Sequence, residues 1–170
     1  IIQEITGSRF GRNYYYPHIS GVAQSFNFYP ISDLEHEDGV VSIAAGLGKS
    51  VVDGENTFRF CPKYPEKNLL KPDSLFKDSQ KFIFALNLNK KNYSLVKGDD
   101  ITLDKIEIND IRSHGSLDHL ASVLDMQNNR IQPGLRHKGP IVMNFDYILK
   151  YNYFPLSRVV DEVIELGESA

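Results

Sequence analysis

Gly46-Leu47-Gly48-Lys49-Ser50 is the segment of this chain best suited to chemistry. Two residues without side chains let backbone N–H groups approach an anion, the start of a helix adds a favourable dipole, and a lysine adds positive charge. A phosphate is the ligand that such a segment suits. It is not a P-loop, because that motif requires glycine at position 43 and the residue there is Ile43. The same residues also fit a strand-to-helix turn in which glycines permit tight packing. Ser20-Gly21-Val22-Ala23-Gln24-Ser25 carries two hydroxyls on a small-residue strand, and by itself it reads equally as a packed strand with exposed hydroxyls. Gln3-Glu4-Ile5 sets polar residues among apolar ones. Such a strand can offer alternating backbone groups to a flat ring such as adenine, or can simply be an amphipathic sheet edge.

No other group earns a catalytic or metal-binding role. His18, His36, His114, His119 and His137 are scattered, and the spacing of His114 and His119 misses the i, i+4 geometry of helical metal ligands. Glu35, Glu37 and Asp38 read as a solvated acidic loop. Cys61 precedes Pro62 with no histidine nearby, so it is not assigned as a nucleophile.

The elements that must position these residues can be read from pattern. Ile1–Thr6 has strand character, Gly7–Pro17 reads as a loop pinned by Tyr14-Tyr15-Tyr16, and Ile19–Ser25 reads as a buried strand. Phe26–Asp38 is a loop. Gly39–Ala45 is a near-continuous apolar run and is expected at the centre of a sheet. Lys49–Asp53 is a short helix or turn ended by Gly54. Cys61–Asp78, with Pro62, Pro65 and Pro72, reads as a surface excursion. Lys81–Leu88, Tyr93–Val96, Lys105–Ile108, Leu120–Leu124 and Ile141–Phe145 are strand candidates, with turn signals at Lys97–Asp100 and Asn128-Asn129. A closing helix is expected from Pro155, with Leu156, Val159, Val160, Val163, Ile164 and Leu166 on one face and Gly167 as its terminator.

Composition narrows the class. The 170 residues are 41% hydrophobic with 9 Tyr and 10 Phe, which excludes a disordered chain. No apolar run approaches the roughly 20 residues that span a bilayer, and no membrane partner is expected. One cysteine excludes an internal disulfide and a multi-cysteine zinc site. A net charge of -3 argues against a nucleic-acid partner. There is no signal-peptide pattern, and a cytoplasmic location is expected.

In order and spacing the segments resemble the ATP-grasp nucleotide-binding domain of phosphoenolpyruvate synthase and pyruvate phosphate dikinase. The resemblance rests on Ile1–Ile5, Ser20–Ser25, Asn27 with Pro30, and Val40–Gly54 (VVSIAAGLGKSVVDG), and covers roughly residues 1 to 60. Later stretches resemble a subgroup of these proteins: Gln80–Leu88, Ala121–Pro133 and Phe154–Glu168. The resemblance implies that Gln3, Glu4 and Ile5 lie on a hinge strand against adenine. It implies that Ser20, Gly21 and Ser25 face the nucleotide or its phosphates, and that Gly46, Leu47 and Gly48 form the turn beside it. The family usually has glutamate where this chain has Lys49, which reverses the local charge and suits a phosphate better than a metal. It usually has phenylalanine at Gln24, and a shorter loop before Pro30.

The implied cofactors are ATP and magnesium in a parent protein. In the family the cationic phosphate-gripping residues come from upstream of the hinge, and the acidic magnesium-binding strand follows the closing helix. The chain is therefore expected to be a piece of a longer protein, with the remaining domains of that parent as its partners. Alone it is expected to bind ATP weakly or not at all and to have no kinase activity. The competing expectation is a non-catalytic ATP-grasp-like module that binds a nucleotide or a partner. The expected fold is α+β, a partial ATP-grasp-like subdomain with an antiparallel or mixed sheet. It would comprise core strands and the Gly-Leu-Gly turn in 1–60, a β-rich inserted lobe with its own core in 61–154, and a closing helix in 155–170.

Overall fold

The computed structural model describes residues 4–30, 33–65, 67, 72–89 and 102–169. The expected strand Tyr93–Val96, the turn Lys97–Asp100 and Gln3 lie outside these residues.

The fold is mixed α+β, and all of its strand pairings among the described residues are antiparallel. The strands are β1 (Ser8–Phe10), β2 (Tyr14–Tyr16), β3 (Ile19–Gln24), β4 (Val40–Ala45), β5 (Phe58–Phe60), β6 (Phe82–Asn87), β7 (Leu103–Glu107), β8 (Ala121–Asp125), β9 (Arg130–Pro133) and β10 (Ile141–Met143). They form three sheets, ordered β1-β2-β6-β7, β3-β4-β5 and β10-β8-β9. Among the described residues four α-helices join them: α1 (Lys49–Val52), α2 (Pro72–Asp78), α3 (Asp146–Leu149) and α4 (Leu156–Glu168).

β4 is central, as its apolar run requires. Val40, Val41, Ile43, Ala44 and Ala45 are all buried, so both faces of the strand are covered. β8 is buried in the same way from Ala121 to Leu124. Its turn into β9 is held by Asp125, whose carboxylate accepts the N–H groups of Gln127 and Asn128 and the side-chain amides of Asn128 and Gln132.

Several expected elements take another form. Glu4–Thr6 is irregular, so these residues add no strand to the sheet of β3 and β4; its third strand is β5. Gly7–Pro17 is not a loop but the hairpin β1–β2. Three consecutive tyrosines, Tyr14 to Tyr16, supply strand propensity there, and Gly11 turns with φ +57°. Within the expected proline-rich excursion, α2 forms from Pro72, and Cys61 and Leu75 are buried. α4 runs through Gly167 to Glu168.

Within the expected lobe 61–154, Leu75, Leu124 and Val142 form a small buried cluster of their own, and other residues of this stretch join a larger one. The larger cluster joins Tyr16, Val41 and Ile43 to Ile83, Ile106, Leu120 and Phe145, and reaches Leu156 and Val160 on α4. A short-range reading misses this because β2 pairs with β6, across more than sixty residues of chain.

Gln80 is one of the ties. Its side-chain Nε2 donates to the carbonyls of Ala45 (2.9 Å) and Phe82 (2.7 Å), and its Oε1 accepts the Ala45 N–H at 2.8 Å, all in buried or partly buried surroundings. Gln80→Ala leaves these backbone groups short of partners. It is expected to cost about 1–3 kcal/mol, read as a lower thermal midpoint, whereas Gln80→Glu keeps the acceptor and loses the two donations.

A single 3-10 turn at His36–Asp38 closes the acidic loop. Asp38 accepts the Glu35 N–H at 2.9 Å and the Lys63 ammonium at 2.7 Å. The Glu35 amide first, and Lys63 next, hold the Asp38 carboxyl below its ordinary range against an opposing effect of burial. Because the folded value is depressed, the stabilisation is present above the unfolded-state value of about 3.9. It is lost as pH falls through the folded value. Asp38→Asn is therefore expected to be less stable than wild type at neutral pH. In denaturant titrations at a series of pH values, that gap should close as pH falls below the ordinary carboxylate range.

Candidate functional site

Among the described residues β3 is an edge strand, hydrogen-bonded to β4 alone, and α4 packs against it. Residues 6–8, 17 and 18 and the turn at 115–120 complete the walls of an open cavity of about 690 Å³. Its interior is apolar, with Val41 and Ile43 from β4, Leu120, Ile148 and Val160 among the lining residues. Polar groups gather at its walls: Ser8, His18, Ser20, Ser116 and His119. This is the usual make-up of a small-molecule site, an apolar body with a few placed polar groups.

α4 explains why the cavity is open. Leu156 and Val160 sink into the core, while Val159, Val163 and Leu166 on the same expected face stay exposed. The helix docks at the edge of a three-stranded sheet, which covers only part of its apolar stripe.

The residues singled out from the sequence fall in three places. Ser20 and Gly21 line the cavity. The Ser20 hydroxyl donates to the Gly46 carbonyl at 2.9 Å, which ties the small-residue strand to the Gly-Leu-Gly turn. Gly21 lies so close to β4 that an added Cβ would stand 2.8 Å from the Ser42 carbonyl oxygen. Ser25 lines a smaller depression of about 250 Å³ further along the same seam, which shares Ala23 and Val163 with the cavity.

The turn itself faces the other way. Gly46 is buried, with φ +84°, and packs against Ile83 and Phe84 of β6. The Leu47 N–H donates to the Phe84 carbonyl at 2.9 Å, so this amide is engaged in tying β4 to β6. Gly48 caps α1 and leaves room beside Ser20. Lys49 pairs with Asp53 at 3.0 Å, and its ammonium lies 5.7 Å from the centre of the Phe84 ring. Glu4 and Ile5 are exposed, and the Ile5 carbonyl accepts the Tyr15 hydroxyl at 3.0 Å.

The structure also brings in residues to which no sequence pattern pointed. Tyr16 and Ser116 are 1% and 2% exposed, and their oxygens lie 2.9 Å apart. The Tyr16 oxygen is also 3.3 Å from His114 Nδ1. Burial pushes the Tyr16 phenol up from its ordinary value, partly offset by the hydrogen bond to Ser116. His119 stacks on Tyr153 with ring centres 3.9 Å apart at the cavity wall. Tyr16 is 98 and 100 residues from His114 and Ser116 in the chain, so only the tertiary fold brings these three together.

Among the described residues, no group of three or more His, Cys, Asp or Glu side chains is placed to hold a metal ion. No described helix is long and apolar enough to cross a membrane. No protein-family model, curated protein or solved structure matches the chain.

Proposed function

We propose that the chain supplies part of the ATP-binding domain of a phosphotransferase resembling phosphoenolpyruvate synthase and pyruvate phosphate dikinase. In the parent the reaction would convert ATP and pyruvate to phosphoenolpyruvate. The observation that supports this reading is the meeting of its two sequence motifs. Ile19–Gln24 and the strand before Gly46 pair residue for residue, from Ile19 opposite Ala45 to Gln24 opposite Val40. The Ser20 hydroxyl then binds the Gly46 carbonyl at 2.9 Å.

On this reading Ser20 and Gly21 present a nucleotide with a hydroxyl and a close backbone approach, and the apolar cavity beside them takes the flat part of the ligand. ATP would bring its own phosphates and magnesium. The described residues contribute no metal-ligand cluster, so the resemblance assigns that task to other segments of the domain. The chain by itself is proposed to bind ATP weakly and to transfer no phosphoryl group, because that chemistry depends on cationic and metal stabilisation of the moving group.

Two observations favour the second reading, a non-catalytic nucleotide- or partner-binding module. Lys49 already pairs with Asp53, and the Leu47 amide already serves Phe84. Neither is poised toward a phosphate in this arrangement. Calorimetric titration of the parent protein with Mg·ATP separates the Ser20 assignment from a purely structural role. Ser20→Ala removes one hydroxyl and is expected to weaken binding about 2- to 10-fold, with a lower thermal midpoint from the lost bond to the Gly46 carbonyl. Unchanged affinity would remove Ser20 from the site.

A further inference from the structure

We propose that a second cavity, beside β5, binds a small carboxylate with an apolar body, its oxygens taken by the Asn27 side-chain amide and the Arg59 guanidinium. The inference is independent of the nucleotide reading, which concerns the cavity along β3.

β3 and β5 are the two edges of their sheet among the described residues, and a cavity of about 360 Å³ lies beside β5. Val40, Phe58, Phe60, Leu75 and Met143 give it an apolar body, and the loop carrying Asn27, Tyr29 and Leu34 supplies part of its wall. Its size and make-up suit a small molecule.

Asn27 is 5% exposed and lines this cavity. Its backbone N–H donates to the His36 carbonyl and its own carbonyl accepts the His36 Nδ1–H, both at 2.7 Å. Its Oδ1 accepts the Tyr29 N–H at 3.1 Å, which fixes the orientation of the amide and leaves Nδ2 as the free end. Nδ2 has no acceptor among the described residues. Nor is it sealed in: among the described residues the unpartnered side-chain atom fully shut from solvent is Ser50 Oγ, on α1. A bare donor on a buried residue costs free energy that an acceptor in the cavity would recover.

Most other polar groups of the wall are engaged. Ser79 accepts the Met143 N–H at 2.7 Å, and Gln80 serves Ala45 and Phe82. Cys61 donates to the Asp38 carbonyl, and Lys67 pairs with Asp33 at 2.7 Å. Asp78 is the acid of the wall, and its charge acts on Lys81. Arg59 is different: it lines the cavity, is exposed, and has no ion pair or hydrogen bond among the described residues beyond those of its strand. A guanidinium matches the fork of a carboxylate, and an amide N–H selects an oxygen acceptor. One unpaired cation suits a monoanion, and the apolar walls suit an alkyl or aryl body.

A nitrogen-15 NMR titration of the chain with 3-phenylpropionate tests the proposal, with 3-phenylpropanol as the uncharged probe. The carboxylate is expected to shift the Asn27 side-chain N–H pair and to bind about 10-fold more tightly than the alcohol. Arg59→Gln changes an exposed side chain; it should weaken the carboxylate about 2- to 10-fold and leave the alcohol unchanged. Asn27→Asp keeps an acceptor for the Tyr29 N–H but sets an anion where the donor was, and should weaken the carboxylate at least as much. Arg59→Gln decides the test whether or not Asn27→Asp folds. An Asn27 side-chain pair that does not move at roughly 10 mM carboxylate would overturn the proposal. So would equal affinity for the two probes, or wild-type carboxylate binding by Arg59→Gln. Shifts confined to β3 and α4 would overturn it too, by placing the probe in the other cavity.

Discussion

Val160→Asp is expected to abolish the cooperative fold of this chain. Val160 is 5% exposed and belongs to the core cluster that joins α4 to the strands. The substitution forfeits the burial of an apolar side chain, about 1.5–3 kcal/mol. It also places a carboxylate where no cation pairs with it, a further cost that drives the group to neutralise or the helix to leave. A total above about 4 kcal/mol is comparable with the whole stability of many domains. Leu166→Asp on the same helix is the control: Leu166 is 69% exposed, and the change is expected to leave the melting curve within a few degrees of wild type. Equal behaviour of the two variants in thermal melts would show that α4 is not docked through Val160.

Gly46→Ala has the next largest expected effect, and for a different reason. At φ +84° an alanine carries left-handed strain of about 1–2 kcal/mol. Its Cβ would also stand 2.9 Å from both Ile83 Cβ and the Phe84 carbonyl oxygen. Neither is the end of a flexible side chain, so the turn or β6 must shift, at about 1–3 kcal/mol more. The shift also strains the Leu47 N–H to Phe84 carbonyl bond and the acceptor offered to Ser20. Gly54→Ala isolates the strain alone, since Gly54 has φ +71° and open space around it. Gly46→Ala should therefore unfold at clearly lower denaturant than Gly54→Ala; equal midpoints would contradict the close packing at Gly46.

These two positions show how far the sequence could be read. The apolar run of β4, the small-residue strand β3 and the 3.6-residue stripe of α4 carry local periodic signals, and all three elements form. What pattern could not supply was the packing between distant segments. The tyrosines of β2 look like loop aromatics until β6 arrives beside them, and α2 hides behind Pro72, whose fixed φ suits a first helical turn. The glycines of Gly46-Leu47-Gly48 were legible as a tight turn, but not that the turn would press on β6. Of the candidate site, Ser20 and Gly21 were legible; Ser116, Tyr16 and His114 were not, because a serine, a tyrosine and a histidine far apart in sequence carry no spacing signal.

We have proposed that this chain is part of an ATP-dependent phosphotransferase acting on pyruvate. The most direct test is phosphoenolpyruvate formation by the protein that contains the chain, supplied with Mg·ATP and pyruvate, with the isolated chain assayed alongside. The expected result is ATP-dependent phosphoenolpyruvate from the parent and none from the isolated chain. A parent that binds no ATP and forms no phosphoenolpyruvate, or an isolated chain that forms it unaided, would contradict the account.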